Sequence, residues 1–215
     1  LAPGASVRLE YLVGIAPAGE IPSLCARHRA DEGARVLPSF TVDDTPWLDR
    51  EARWHGYYLQ AGAAYLEYFG AHTIDQGAAY SFLQGATGAP RDFALFILPM
   101  VYLRPELARD MLRFLFRAQR HGTGAFPYAF TGHGVTAGAG VHSRSSDLDL
   151  FVCWALGEYL NATRDYAFLE EEVVYYPAHE AHRDTVLGHV RASFRHLTEH
   201  VGTGRHGLLR CGTGD

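Results

Sequence analysis

The chain has 215 residues, 47% hydrophobic and 13% aromatic, which supplies enough apolar side chains for a packed core. A formal net charge of -5 without a basic cluster argues against a nucleic-acid partner. No apolar run reaches the roughly 18 residues of a membrane span, and Cys25, Cys153 and Cys211 lack zinc or disulfide spacing. We therefore expect no membrane partner, reduced thiols and a cytoplasmic location.

The first 45 residues predict the end of one domain and a linker. Residues 6–14 alternate like a strand, so residues 1–20 are assigned to the C-terminal end of a β-sandwich. Residues 21–45 are predicted to be a linker with a short helix at 21–29. Leu1 replaces an initiator methionine and the chain stops in a glycine-rich loop, so we expect a fragment truncated at both ends.

From Pro46 onward the pattern is helical. Thr45 and Pro46 predict a helix start, and apolar spacing extends that helix to Gly70. Further helices are predicted at residues 91–104, 105–120, 146–159 and 184–201. Long glycine-rich connections at 71–90 and 122–145 hold many polar and aromatic side chains.

This alternation predicts a mainly α fold. We assign residues 46–215 to the N-terminal part of an (α/α)6 barrel, a toroid of paired helices whose long loops open on one face. The fold class is thus a partial (α/α)6 toroid preceded by the end of a β-sandwich and a helical linker. A plain helical bundle is the alternative, and it would not need such long connections.

The first long connection ends in Arg91 and Asp92 at a helix start. A guanidinium fork beside a carboxylate suits the vicinal hydroxyls of a sugar ring. The alternative is that Asp92 only complements the helix dipole and that Arg91 is solvated.

The second connection places aromatic residues between glycines at 125–134, which suits either a sugar-stacking platform or a small satellite core. Ser146, Asp147 and Asp149 follow it. Because Asp147 and Asp149 are two positions apart, a helix would turn them to different faces, which makes them a poor acid–base pair. Helix capping is the expected role of Ser146 and Asp149.

Other reaction classes receive little support from the sequence. His189, His196 and His200 can align on one helix face, but no carboxylates join them, so no metal site is predicted. The sequence contains no GxSxG, P-loop or GxGxxG pattern, and serine nucleophiles and nucleotide binding are therefore unsupported.

A series of motifs resembles the cellobiose and chitobiose phosphorylases of glycoside hydrolase family 94. Tyr80 with Arg91-Asp92 is similar to that family's aromatic–RD segment, and residues 105–109 to the helix start after it. The similarity continues through that family's "SDD…YL…TGD" stretch, at Ser146-Asp147, Trp154 and residues 158–160 and 162–165. It ends in the family's "HGLP…GDWND" loop, at residues 206–209 and 212–215. Together the motifs cover most of residues 36–215 in the same order.

The resemblance implies an inverting β-glycoside phosphorylase that releases sugar 1-phosphate from an oligosaccharide substrate. It implies no cofactor, inorganic phosphate as co-substrate, and a possible homodimer of the full-length protein. The implied substrate-binding residues are Tyr80, Arg91, Asp92, Asp147 and Asp215. No catalytic residue is assigned within the chain, because Asp215 matches only the first Asp of the last motif and the acid is expected three residues later.

The sequence also departs from the family pattern. Phe96 stands where the family commonly carries a further Asp, and Leu148 replaces the second Asp of "SDD". Two alternatives therefore stay open: an inverting glycoside hydrolase on the same barrel, and a non-catalytic glycan-binding helical domain.

Overall fold

The computed structural model describes residues 4–9, 11, 18–30, 37–39, 41, 43–77, 85–136 and 146–210. Its contacts divide the chain into two units, Leu1–Val36 and Leu37–Asp215. In the first unit, a 3-10 turn at Ala18–Glu20 leads into helix α1, Ile21–Ala30, which confirms the predicted short helix. Residues 4–9 and 11 form no strand, and the assignment of residues 1–20 to a β-sandwich stays a prediction.

The described part of the second unit consists of helices with small antiparallel hairpins. The helices are α2 (Pro46–Ala61), α3 (Pro90–Leu103), α4 (Pro105–Ala118), α5 (Leu148–Thr163) and α6 (Val186–Arg195), which continues as a π-helical turn at His196–Val201. The hairpins pair β1 (Ala63–Leu66) with β2 (Ala71–Ile74), β3 (Ala129–Thr131) with β4 (Gly134–Thr136), and β5 (Glu172–Val174) with β6 (Arg183–Thr185). The mainly α class is therefore confirmed. Every helix among the described residues is too short or too polar to serve as a membrane span.

Two prolines define the helical hairpin of α3 and α4. Pro90 and Pro105 each occupy the first turn of a helix, where the missing N–H costs nothing and the fixed φ favours helix. Only Arg104, with extended φ, separates the helices. Because the connection is so short, α4 runs back along α3, and its apolar face is buried in the core.

Helix α5 lies beside α3 and points the same way. Arg91 near the start of α3 contacts Asp147 at the start of α5, and Tyr102 near the end of α3 donates a hydrogen bond to Glu158. The two helices therefore present their N-termini at the same end, and each is entered from one of the long connections. We call this end, with its residues Gln76, Arg91, Asp92 and Asp147, the α3/α5 mouth.

Four phenylalanines pack together directly beneath the α3/α5 mouth. Phe69, Phe93, Phe114 and Phe130 are at most 5% exposed, and their ring centroids lie 4.7–6.1 Å apart. They come from the β1–β2 turn, α3, α4 and β3, respectively. Edge and stacked aromatic pairs add to the hydrophobic stabilisation of this core, so the backbone next to Asp92 is held rigidly.

The helix predicted from Pro46 to Gly70 is wrong beyond Ala61. Gly62 ends α2, with its N–H donating to the Tyr58 carbonyl at 2.9 Å. The following residues pair as β1 and β2 around a turn in which Gly70 has a φ of 60°, a conformation that glycine adopts without strain. Burial of Ala71, Thr73 and Ile74 of β2, which packs against α4, favours the hairpin over further helix.

Candidate functional site

Arg91 and Asp147, which lie 56 positions apart in the sequence, meet at the α3/α5 mouth. The Arg91 Nη2 atom donates to the Asp147 Oδ1 atom at 2.7 Å, and both side chains are about one-third exposed (35% and 34%). The guanidinium carbon also lies 5.9 Å from the centre of the Phe151 ring. The alternative of a merely solvated Arg91 is wrong, because the side chain is fixed by a residue that the motif series singled out independently.

Asp92 is held from the other side by Gln76. The Gln76 Oε1 atom accepts the backbone N–H of Ala89 at 2.6 Å, and its amide group hydrogen-bonds to the Asp92 carboxyl. Burial raises the pKa of Asp92 above its usual range, and the opposing effects of Gln76, its own backbone N–H and Arg91 offset this only in part. A carboxyl group whose pKa is raised by burial and which lies beside a guanidinium is typical of functional sites.

Backbone pairing joins the two long connections just below these side chains. The Thr87 N–H donates to the Phe130 carbonyl at 2.7 Å, and the Phe130 N–H donates to the Gly88 carbonyl at 2.8 Å. A Cβ atom on Gly88 would lie 2.4 Å from the Phe93 ring, so only glycine allows this approach. Gln76 and the start of α3 are therefore positioned by the hairpin β3–β4.

The aromatic residues of the second connection are core residues for the most part. Phe126 is 6% exposed, Phe130 is completely buried, and Tyr128 is half-buried against Ala86 and Ala129. The interpretation as a sugar-stacking platform is wrong for the two phenylalanines. Of the two alternatives for residues 125–134, the structure supports the one in which the aromatics pack inside.

Asp149 does not cap α5, contrary to the sequence prediction. Asp147 occupies the N-cap position without a capping hydrogen bond between its own side chain and the described first turn, and Ser146 lies before it. Asp149 is 3% exposed and its Oδ2 atom lies 2.9 Å from the Nδ1 atom of His196. The expectation that Asp147 and Asp149 point to different faces is confirmed, since one contacts α3 and the other contacts the end of α6.

The structure buries His189 apart from His196 and His200, the other two histidines that the sequence aligned, whose ring centroids lie 5.7 Å from each other. His189 is fully buried, with its Nδ1 atom 2.6 Å from Gln119 Oε1 and its Nε2 atom 3.0 Å from the Val173 carbonyl oxygen. Burial lowers the pKa of His189 to about 4, so it is a neutral core side chain near pH 7. Across the described residues, no group of three or more His, Cys, Asp or Glu side chains is arranged to hold a metal ion.

A second polar region surrounds the first half of α4, at the opposite end of the α3–α4 hairpin and about 20 Å along the helix axis from Arg91. It is an open cleft of about 470 Å³ lined by His72, Arg104, Arg109, Asp110 and Arg113, among others. Each of these arginines is paired with a carboxylate, as in the 2.8 Å contact of Arg109 with Glu171. None of its lining residues is among the substrate-binding residues that the resemblance implies, so this cleft is a weaker candidate for sugar binding than the α3/α5 mouth.

Two of the residues implied by the resemblance, Tyr80 and Asp215, lie outside the described residues and stay predictions. Sequence reasoning missed Gln76 and His196. Gln76 carries no motif of its own, although its place in a glycine-rich connection just before the RD pair was a signal. The sequence pattern indicates His196 only as one of three histidines on a helix face, because its carboxylate partner lies 47 positions away.

Comparisons with known proteins leave the chain without an assigned family. No family model matches it, and no curated protein matches it significantly.

Proposed function

We propose that the α3/α5 mouth binds a sugar ring and that the chain is part of an inverting β-glycoside phosphorylase built on an (α/α)6 barrel. One observation carries the proposal: Arg91, Asp92 and Asp147, singled out by two separate motifs, lie at the N-termini of two neighbouring parallel helices. The entry of both helices from long connections is compatible with a barrel whose loops gather on one face.

The charges at this mouth suit the recognition of a polyhydroxylated ring. A guanidinium offers only donors and an ionised carboxylate offers only acceptors, so adjacent Arg91 and Asp92 can together bind neighbouring hydroxyl groups. Asp147 fixes the guanidinium plane from α5, while Gln76 fixes the Asp92 carboxyl from the first connection. Such preorganisation lowers the entropic cost of binding a ligand.

The proposed reaction is a single inverting displacement. A carboxylic acid, which the resemblance puts beyond Asp215, protonates the glycosidic oxygen as inorganic phosphate attacks the anomeric carbon from the opposite face. The bond from the anomeric carbon to the leaving sugar breaks as the bond to phosphate forms. One carboxyl suffices, because phosphate is already an anionic nucleophile, whereas an inverting hydrolase needs a second carboxylate to activate water.

The chemical step is tested by incubating the full-length protein with β-linked glucose or N-acetylglucosamine disaccharides, with and without inorganic phosphate. We expect phosphate-dependent formation of sugar 1-phosphate, and its loss in an Arg91→Ala variant. Release of free sugar at the same rate without phosphate would favour the hydrolase instead.

A further inference from the structure

The first turn of α5 carries a second pair besides Asp147 and Arg91. The Asp149 carboxyl, 3% exposed, turns to the side of α5 away from Asp147 and lies 2.9 Å from the His196 ring. Asp147 and Asp149 are two positions apart, or about 3 Å along the helix axis. The α3/α5 mouth and the Asp149–His196 pair therefore lie on two sides of the same helix end.

Because Asp149 is buried and His196 is partly buried, their polar atoms need hydrogen-bond partners. A carboxylate removed from water must be compensated by hydrogen bonds, yet the Asp149 Oδ1 atom is buried and has no hydrogen-bond partner within the described part of the chain. Among the described residues, the imidazole of His196 is the side chain that hydrogen-bonds to the Asp149 carboxyl and compensates its burial. Since an ionised carboxylate can only accept, the proton of a neutral His196 lies on Nδ1.

That arrangement has a chemical consequence at the other ring nitrogen. With its proton on Nδ1, a neutral imidazole leaves a lone pair on Nε2, and this atom makes no hydrogen bond within the described residues. The His196 side chain is 15% exposed, so the ring is mostly sheltered but can be reached from solvent. The geometry resembles the carboxylate–histidine pairs in which the acid selects the tautomer and orients the ring.

We propose that His196 is a further ligand-contacting residue of the site, whose Nε2 atom accepts a hydrogen bond from a sugar hydroxyl, and that Asp149 is its positioning residue. This rests on the proposed function, because the ligand is the oligosaccharide bound at the α3/α5 mouth. The acceptor at Nε2 complements Arg91, which can only donate to hydroxyl oxygens.

The experiment uses two replacements that test the Nε2 acceptor of His196 and the Asp149 carboxylate separately. In His196→Asn the side-chain amide lies near the former Nδ1 and still donates to Asp149, but the acceptor at Nε2 is gone. In Asp149→Asn the carboxylate that selects the tautomer is lost, while the ring stays. His200→Asn is the matched control, because His200 lies one turn further along the same helix, with its ring centroid 5.7 Å from that of His196.

Binding of cellobiose and chitobiose is measured by titration calorimetry for the wild-type chain and the three variants, with thermal melts to verify folding. We expect His196→Asn to melt like the wild type but to bind about five- to tenfold more weakly, as for one lost hydrogen bond. His200→Asn should bind normally, and Asp149→Asn should weaken binding and melt at a lower temperature. Equal affinity for wild type and a folded His196→Asn would overturn the inference.

A second readout does not depend on sugar binding. Long-range ¹H–¹⁵N correlation spectra of the wild-type chain above pH 7 report which ring nitrogen of His196 carries the proton. We expect a protonated Nδ1, changing toward the Nε2–H tautomer in Asp149→Asn. A wild-type spectrum with the proton on Nε2 would refute the inference by itself. Failure of the wild type to bind any tested sugar, with the Nδ1–H tautomer intact, would instead refute the sugar-binding function and the ligand role of His196 that rests on it.

Discussion

Replacement of Gly88 by alanine should destabilise the fold and disturb the α3/α5 mouth. The added Cβ would lie 2.4 Å from the Cε1 and Cζ atoms of Phe93, about 1 Å short of an ordinary carbon–carbon contact. Phe93 cannot move away easily, since it is fully buried and stacks on Phe130 at 5.4 Å with an interplanar angle of 5°. Overpacking of this kind costs about 1–3 kcal/mol.

A second effect adds to the overpacking. The same Cβ would lie 2.7 Å from the Gln76 Oε1 atom, which accepts the Ala89 N–H. If this hydrogen bond is lost, a further cost of about 0.5–1.5 kcal/mol follows. We therefore expect Gly88→Ala to lower the free energy of unfolding by about 2–4 kcal/mol, together with weaker sugar binding, because Gln76 also holds Asp92.

Urea denaturation followed by circular dichroism measures the free energy of unfolding, with Gly157→Ala as the matched control. Gly157 lies inside α5, and among the described residues no atom outside the neighbouring backbone of α5 lies within 4 Å of the position that an added methyl carbon would take there. The same added group should therefore stabilise the helix by about 0.5–1 kcal/mol. A Gly88→Ala variant as stable as the wild type would contradict the close contact of Gly88 with Phe93 and Gln76.

Three further replacements separate stability from binding. Arg91→Ala should change the free energy of unfolding by only about 0–1 kcal/mol, because the ion pair of Arg91 with Asp147 is one-third exposed and is screened by solvent and salt. Denaturant titration at low and high salt concentration measures this change. Burial raises the pKa of Asp92, so the protonated carboxyl stabilises the fold and this contribution is lost as the pH rises through the raised pKa. Asp92→Asn should therefore be at least as stable as the wild type at pH 7. In a pH series of thermal melts, the difference between the two proteins should vanish below pH 3.8. Hydrogen bonds from Arg113 lower the pKa of Glu171, so the ionised carboxylate stabilises the fold above pH 4.5 and this contribution is lost as the pH falls through the lowered pKa. Glu171→Gln should reduce the free energy of unfolding by about 1–3 kcal/mol at pH 7 and by progressively less in acid. A difference that stays constant with pH would contradict the pairing of Glu171 with Arg113.

The helix starts around the site follow from local chemistry, and the sequence predicts them well. Pro90 and Pro105 restrict φ and lack an N–H at positions where a helix tolerates both, so α3 and α4 begin where the pattern indicates. The different directions of Asp147 and Asp149 follow equally from helical geometry.

The contacts that complete the site depend on residues far apart in the chain. The segment Ala63–Leu66 contains alanine and leucine, which favour helix, and only its pairing with Ala71–Ile74 beneath α4 makes it a strand. Asp149 looks like a capping residue locally, but the packing of α6 against α5 brings His196 to its carboxyl. Such tertiary effects leave no periodic pattern in the sequence.

The central claim, that Arg91 at the α3/α5 mouth binds sugar, is tested most directly by titrating the wild-type chain and an Arg91→Ala variant with cellobiose and chitobiose in a calorimeter. A guanidinium that donates to sugar hydroxyls is worth about 1.5–3 kcal/mol, so we expect Arg91→Ala to bind at least about tenfold more weakly while melting at nearly the same temperature. Equal affinity of the two proteins, or no binding by the wild type, would contradict the account.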